Sequence, residues 1–316
     1  MGGAGAGGLS GAAGEPSSTL PELLSETGLY VDLTAGEALA PDVLEYRPRF
    51  ELWSDGAEKR RFLRLPPGTH IDTADMDFWR FPPGTRAWKE FQRDGVRVET
   101  RLLQKISEQT WLMQAYAWND DESDALAAPG GVADARGTDH DIPSRVMCGE
   151  CHNNVPDRLL GVSALQLAQA LPGLTLADLS AEGRLSDPPA GELELPGDEV
   201  AQAALGYLHA NCGNCHNPRS GVYPTVELEL WLAIDDLASV EATGTYLSTV
   251  GVELQGVPPG ADVSETRIEP GSPQTSAVYQ RMASRDALIQ MPPLGTEAPD
   301  DDGLARVAAW IEALAP

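Results

Sequence analysis

The sequence predicts an α+β multidomain chain: an N-terminal β-sandwich or barrel-like domain, then a mostly helical region with a β-containing insertion. Three observations predict it. All five phenylalanines and five of the seven tryptophans lie between Phe50 and Trp118, among short runs that alternate in polarity. Apolar residues at helical spacing follow Asp198 and Asp301. Finally, the pattern Cys-x-x-Cys-His occurs twice, at 148–152 and 212–216, and uses all four cysteines and two of the five histidines.

Residues 1–19 read as a flexible Gly/Ala/Ser leader. Residues 20–118 read as the β-rich domain. Its corners are Leu65-Pro66-Pro67-Gly68-Thr69 and Phe81-Pro82-Pro83-Gly84-Thr85, where proline presets the turn and glycine takes the positive φ. Strands are expected at 86–91, 96–105 and 111–118, with the aromatics forming core. The acidic, Gly/Ala-rich stretch 119–141 reads as a linker. Residues 142–196 form the segment of the first cysteine motif, with short helices expected at 162–171 and 175–181. Residues 197–316 open with a helix capped by Asp198, whose apolar stripe (Val200, Ala204, Tyr207, Leu208) runs into the second motif. An insertion at about 221–270 carries β-like runs such as 226–231. A helix is expected from Ser272 through Met282, and a last one over 301–314, with Leu304, Val307, Ala308, Ile311 and Leu314 on one face.

Net charge is −26, which argues against nucleic acid or an anionic lipid surface as partner. Residues 47–105 hold 13 of the 22 Lys+Arg against 9 of the 48 Asp+Glu, a balance of +4 that leaves −30 elsewhere. The acidic surface suits solubility and would steer basic redox partners. No apolar run approaches the roughly 20 residues of a membrane-spanning helix.

Cys-x-x-Cys-His is the attachment signature of c-type haem. Two thiols at that spacing form thioethers to one porphyrin, and the next histidine supplies the proximal nitrogen. The motifs assign Cys148, Cys151 and His152 to one haem, and Cys212, Cys215 and His216 to another. Zinc is the competing reading, but the 60 residues between Cys151 and Cys212 exceed zinc-ribbon spacing. A thioredoxin-like dithiol needs no histidine after it.

The second motif has a helix before it, a Met291-Pro292-Pro293 loop after it and a closing C-terminal helix, the order of a class I cytochrome c. His216 is then proximal and Met291 distal, a pairing that raises the potential. The first motif has no methionine between His152 and Met282. His209, on the helix entering the second motif, is the leading candidate for its sixth ligand, and Met282, His140, His70 and Met113 are the others. Covalent haem attachment implies export to the periplasm or another extracytoplasmic compartment. The start shows no charged n-region or apolar h-region, and the leader would suit a tether behind a removed outer-membrane lipid anchor.

The chain resembles a little-characterised family of exported dihaem c-type cytochromes from Gram-negative genomes that carry an N-terminal β-rich domain. The matching stretches are 52–57 (Leu-Trp-Ser-Asp-Gly-Ala), 78–85 (Phe-Trp-Arg-Phe-Pro-Pro-Gly-Thr), Pro143-Ser144-Arg145, 207–212 (Tyr-Leu-His-Ala-Asn-Cys), 267–271 (Arg-Ile-Glu-Pro-Gly) and 291–295 (Met-Pro-Pro-Leu-Gly). They span most of the chain from about residue 20, although Met147 stands where the family usually has a polar residue. The resemblance implies two covalent haems beside a β domain and a role in electron transfer.

The residues then support three roles: an electron carrier with two six-coordinate irons, a peroxidase-type dihaem enzyme with an open first haem, or a β domain that docks a redox partner or glycan through Lys59, Arg60, Arg61 and Arg64.

Overall fold

The computed structural model describes residues 19–33, 38–257 and 259–315. The expected leader over 1–19 lies outside the described residues except for Thr19.

The α+β class holds, but the N-terminal architecture differs from the sandwich or barrel. A short ribbon pairs β1 (Tyr30–Asp32) with β2 (Ala38–Leu39). The main sheet is one antiparallel meander of six strands: β3 (Leu44–Tyr46), β4 (Glu58–Arg64), β5 (Arg86–Arg93), β6 (Val96–Lys105), β7 (Trp111–Trp118) and β8 (Ala125–Ala127). Both Pro-Pro-Gly-Thr corners form as expected: the N–H groups of Thr69 and Thr85 donate to the carbonyls of Pro66 and Pro82, and Gly68 and Gly84 take positive φ.

Register explains why a second sheet is unnecessary. Phe62, Trp88 and Leu102 stand opposite one another on one face, while Leu63, Ala87, Leu103 and Met113 stand on the other. Both faces are apolar and both need cover. The first is closed by Leu24, Leu29, Tyr30 and Val43 from the N-terminal segment. The second is closed by Val162, Ala164, Leu167 and Leu179, which follow the first cysteine motif. The sheet therefore shares its core with the segment of the first cysteine motif.

The stretch 119–141 is not a free linker. It supplies β8, which pairs Trp118 with Ala125, and Arg136 binds the Glu122 carboxylate. The first motif then lies on α1 (Arg145–His152). Beyond it, α2 (Ala164–Leu167) is shorter than the 162–171 expectation, whereas α3 (Leu176–Ala181) starts at a capping box between Thr175 and Asp178.

The helical region is built on α4 (Glu199–Asn211), capped as expected by the Asp198 carboxylate accepting from the Ala201 N–H. Its Leu205 and Leu208 pack with Leu304, Val307, Trp310 and Ile311 of a C-terminal helix, Asp301–Ala313. Val200, assigned to the buried stripe, is instead exposed.

In the insertion the expected strand at 226–231 is absent. The chain forms α5 (Tyr223–Val226) and α6 (Gly244–Thr249), and residues 228–232 run without a ladder partner. Their N–H groups are used elsewhere: Leu230 donates to the His216 carbonyl, Glu229 to Ser248 Oγ, and Leu232 to His209 Nδ1. The expected helix from Ser272 breaks at Ser276 into a short 3₁₀ turn and α7 (Ala277–Ala283), which makes the C-terminal helix α8. Among the described residues no helix is long and apolar enough to cross a membrane.

Candidate functional site

The first motif is held from both ends. Along α1, Cys148 packs against the sheet's second core face. Just after the helix, Asp157 is buried and accepts four hydrogen bonds: from Lys105 Nζ at 2.7 and 2.8 Å, from Trp111 Nε1 at 2.9 Å and from the Phe81 N–H at 2.5 Å. That anchor fixes the next residue, Arg158, whose φ is +62°. The Arg158 carbonyl accepts the Nδ1–H of His152 at 2.5 Å. A histidine that donates from Nδ1 presents Nε2 as its lone-pair nitrogen, the tautomer a metal ligand needs. Burial pushes the His152 pKa down to about 4, so the ring is neutral.

The second motif caps α4. The N–H of His216 donates to the Cys212 carbonyl, and Gly213 sits against the backbone of His209, Leu230 and Trp231. A Cβ at Gly213 would come within 2.6 Å of the His209 carbonyl and 2.9 Å of the Leu230 carbonyl, neither of which can swing aside. Gly213→Ala is therefore expected to cost about 1–3 kcal/mol through overpacking, read as a lowered urea midpoint at unchanged m-value. His216 is pushed down to about 4 by burial, and its Nδ1 is buried with no partner among the described residues. Met291 lies in a loop of bends; its N–H donates to the Arg281 carbonyl, and the charge of Arg281 acts on His216.

The two motifs touch. The thiols of Cys151 and Cys215 lie close enough to shift one another's ionisation, Asn154 Nδ2 donates to Cys215 Sγ, and Asn217 Nδ2 donates to the Asn154 carbonyl at 3.2 Å. Cys151 ionises first, its pKa lowered to about 7 by the Cys215 S–H and by Arg101 and Lys89, whereas that same contact and burial raise Cys215. Burial raises Cys212 to about 12. Among the described residues no three His, Cys, Asp or Glu side chains gather as a metal site, so the zinc alternative has no donor cluster.

A cleft opens between the sheet and the two motifs. His152 and His209 both line it, with Tyr46, Leu103 and Trp231 among the apolar walls. The other sixth-ligand candidates are elsewhere: His140 bonds Glu99 at 2.8 Å, His70 is exposed, and Met113 and Met282 are packed in the sheet core and the helical core. His209 is fully buried and burial lowers its pKa to about 3. Its Nδ1 accepts the Leu232 N–H at 3.1 Å and its ring leans on Trp231, centroids 4.4 Å apart.

Trp231 is in turn set by Asp77, which accepts from Trp231 Nε1 at 3.3 Å and from the Ile234 N–H at 3.1 Å. Burial raises the Asp77 pKa to about 6 despite those bonds. A raised carboxyl gives stability that is complete below its unfolded value near 4 and is lost as pH rises through 6, because between them the folded state binds the extra proton. Asp77→Asn is expected to gain on the wild type by on the order of 1 kcal/mol between pH 4 and pH 7. Urea midpoints of both proteins across that range check the slope.

The sheet also contributes charge. Arg61, Lys89 and Arg101 stand directly opposite one another on β4, β5 and β6, and all three line the cleft. Arg101 pairs with Glu99 and Arg61 with Glu51 at 3.3 Å. Lys89 has no carboxylate partner among the described residues and lies 5.1 Å from the Phe91 ring centroid. Burial and the neighbouring cations push its pKa well down. The docking-module reading loses its free charges here. Arg60 binds Glu45, Arg64 binds Asp42, and Lys59 donates to the Leu52 carbonyl, so the basic run is tied to its own domain.

Sequence reading missed these sheet residues as part of the site. The signal was present in parity: residues 61, 89, 101 and 105 share the face of Leu63, Ala87 and Leu103, which a buried strand turns inward. No protein-family model matches the chain, and no curated protein or solved structure matches it.

These features fit a c-type haem at the first motif. A neutral, oriented histidine lies at the cleft, two thiols precede it on the same helix, the walls are partly apolar, and a second histidine shares the space. At the second motif the orphaned Nδ1 of His216 and the neighbouring Met291 loop are compatible with the same group.

Proposed function

We propose that the chain is a dihaem c-type cytochrome that passes single electrons between redox partners. When bound, each haem supplies one-electron ferric/ferrous chemistry. The contact between the motifs carries this reading, because thiols that meet at Cys151 and Cys215 put two haems side by side for transfer between them. His152 and His216 would each hold one iron, Met291 would be a further ligand at the second haem, and His209 would reach the first once its proton moved to Nδ1. Export to the periplasm, lipid anchoring and a basic redox partner belong to the same proposal.

One observation favours a second reading, a peroxidase-type enzyme. A neutral histidine whose Nδ1 accepts a hydrogen bond carries its proton on Nε2. An Nε2–H in the cleft donates to a ligand instead of binding iron. For His209 to ligate through Nε2, the proton must move to Nδ1 and the Leu232 N–H must give up its acceptor.

EPR of the oxidised protein, produced with c-type haem maturation, tests both. Two low-spin ferric signals support the carrier; one low-spin and one high-spin signal support the enzyme. A protein that carries no covalent haem overturns the proposal.

A further inference from the structure

The unexplained feature of the cleft is its row of three cations. Strands of a sheet lie about 4.8 Å apart, so Arg61, Lys89 and Arg101 form a file roughly 10 Å long with like charges directly opposite, an arrangement that disfavours the sheet. Arg61 and Arg101 each have one carboxylate nearby, but Lys89 between them has none among the described residues. Arg61 is itself almost wholly buried, at 4% exposure. A cleft built this way is short of negative charge.

The file has a direction. The helix of the first motif, α1, contacts β7, and the strands run in the order β4, β5, β6, β7. Arg101 on β6 is therefore nearest the thiols, and Arg61 on β4 stands at the end away from them. A c-type haem has the same polarity: thioethers bind one edge of the porphyrin, and two carboxylates project from the opposite edge. We propose that Arg61 and Lys89, on β4 and β5, hold the porphyrin carboxylates of the first haem, making the β-sheet the second half of that haem's pocket.

This inference rests on the dihaem reading and deepens it. It gives the N-terminal domain a role that the cysteine motifs alone do not supply. Arg61, a planar fork, suits one carboxylate, with its Glu51 contact only half-buried and shared with Arg47. Lys89 supplies a compact charge for the other. Arg101 is already occupied by Glu99 and serves as the spacer nearest the thioether edge.

The test is a spectroelectrochemical titration of the haem-loaded Lys89→Met protein beside the wild type. Lys89→Met keeps the stem over Phe91 and leaves no protein carboxylate unpaired. A lost cation beside the carboxylates disfavours the reduced iron. The expected result is about a tenfold shift of the first haem toward oxidation, about 59 mV for one electron, with the second haem unmoved. Lys89→Arg is expected to restore the wild-type value, which a merely structural lysine would not require. If Lys89→Met does not fold, Arg61→Met carries the same test with a shift in the same direction, since Glu51 keeps Arg47 as its partner. Two covalent haems with an unmoved first potential overturn this inference alone, whereas a wild type with no covalent haem overturns the dihaem reading beneath it.

Discussion

Lys105→Met is expected to destabilise the fold by about 3–5 kcal/mol. Lys105 is 1% exposed and Asp157 8%, and the lysine ammonium contacts both carboxylate oxygens. Removing the cation leaves a buried carboxylate with only Trp111 Nε1 and the Phe81 N–H to compensate its charge. Asp157→Asn errs in the opposite sense and strands the lysine. The neutral pair Lys105→Gln/Asp157→Asn is expected to recover most of the loss, because the hydrogen bonds survive and neither charge is buried alone. Urea unfolding of the three variants, at equal m-values, measures each term. A Lys105→Met loss below about 1 kcal/mol would mean that the pair is solvated and does not anchor the loop. The consequence reaches the site: Asp157 fixes Arg158, whose carbonyl orients His152.

How much of this could be read without coordinates depends on where each bond goes. The strands at 96–105 and 111–118 were legible because their partners are regular ladders, and alternation reports ladders directly. The α4 start was legible because Asp198 caps its own helix, three residues away. The 226–231 segment alternates equally well, yet it is no strand, since its neighbours are a histidine carbonyl, a serine and a histidine ring from distant positions. The same limit applies to the sheet. Its residues predict two apolar faces, and a second sheet is the common cover, but the cover here comes from the segment after the first motif. As for the site, the two Cys-x-x-Cys-His motifs can be read directly, whereas a cleft shared by His152 and His209 follows from tertiary packing alone.

His209→Ala is expected to convert the first haem of the oxidised protein from low-spin to high-spin, with the second haem's signal and the covalent haem content unchanged. The ligand set explains the selectivity. Cys148, Cys151 and His152 lie on α1 and after the sheet, whereas His209 comes from α4 and reaches the same cleft from the other side. Truncating it opens one axial position without touching a thiol or a proximal ring. The fold should tolerate the change: the Leu232 N–H loses its acceptor, a cost of about 1–3 kcal/mol, and a small void forms beside Trp231. External imidazole is expected to enter that void and return the low-spin signal, which separates a lost ligand from a disturbed pocket. If the wild type is already high-spin, His209 is a donor above an open iron. His209→Ala would then leave the spin state alone and slow reaction with peroxide by roughly 10²–10⁴-fold, the usual effect of losing a general acid or base. The tautomer decides between the two, because an Nδ1 that accepts from Leu232 cannot also carry the proton that iron ligation through Nε2 requires.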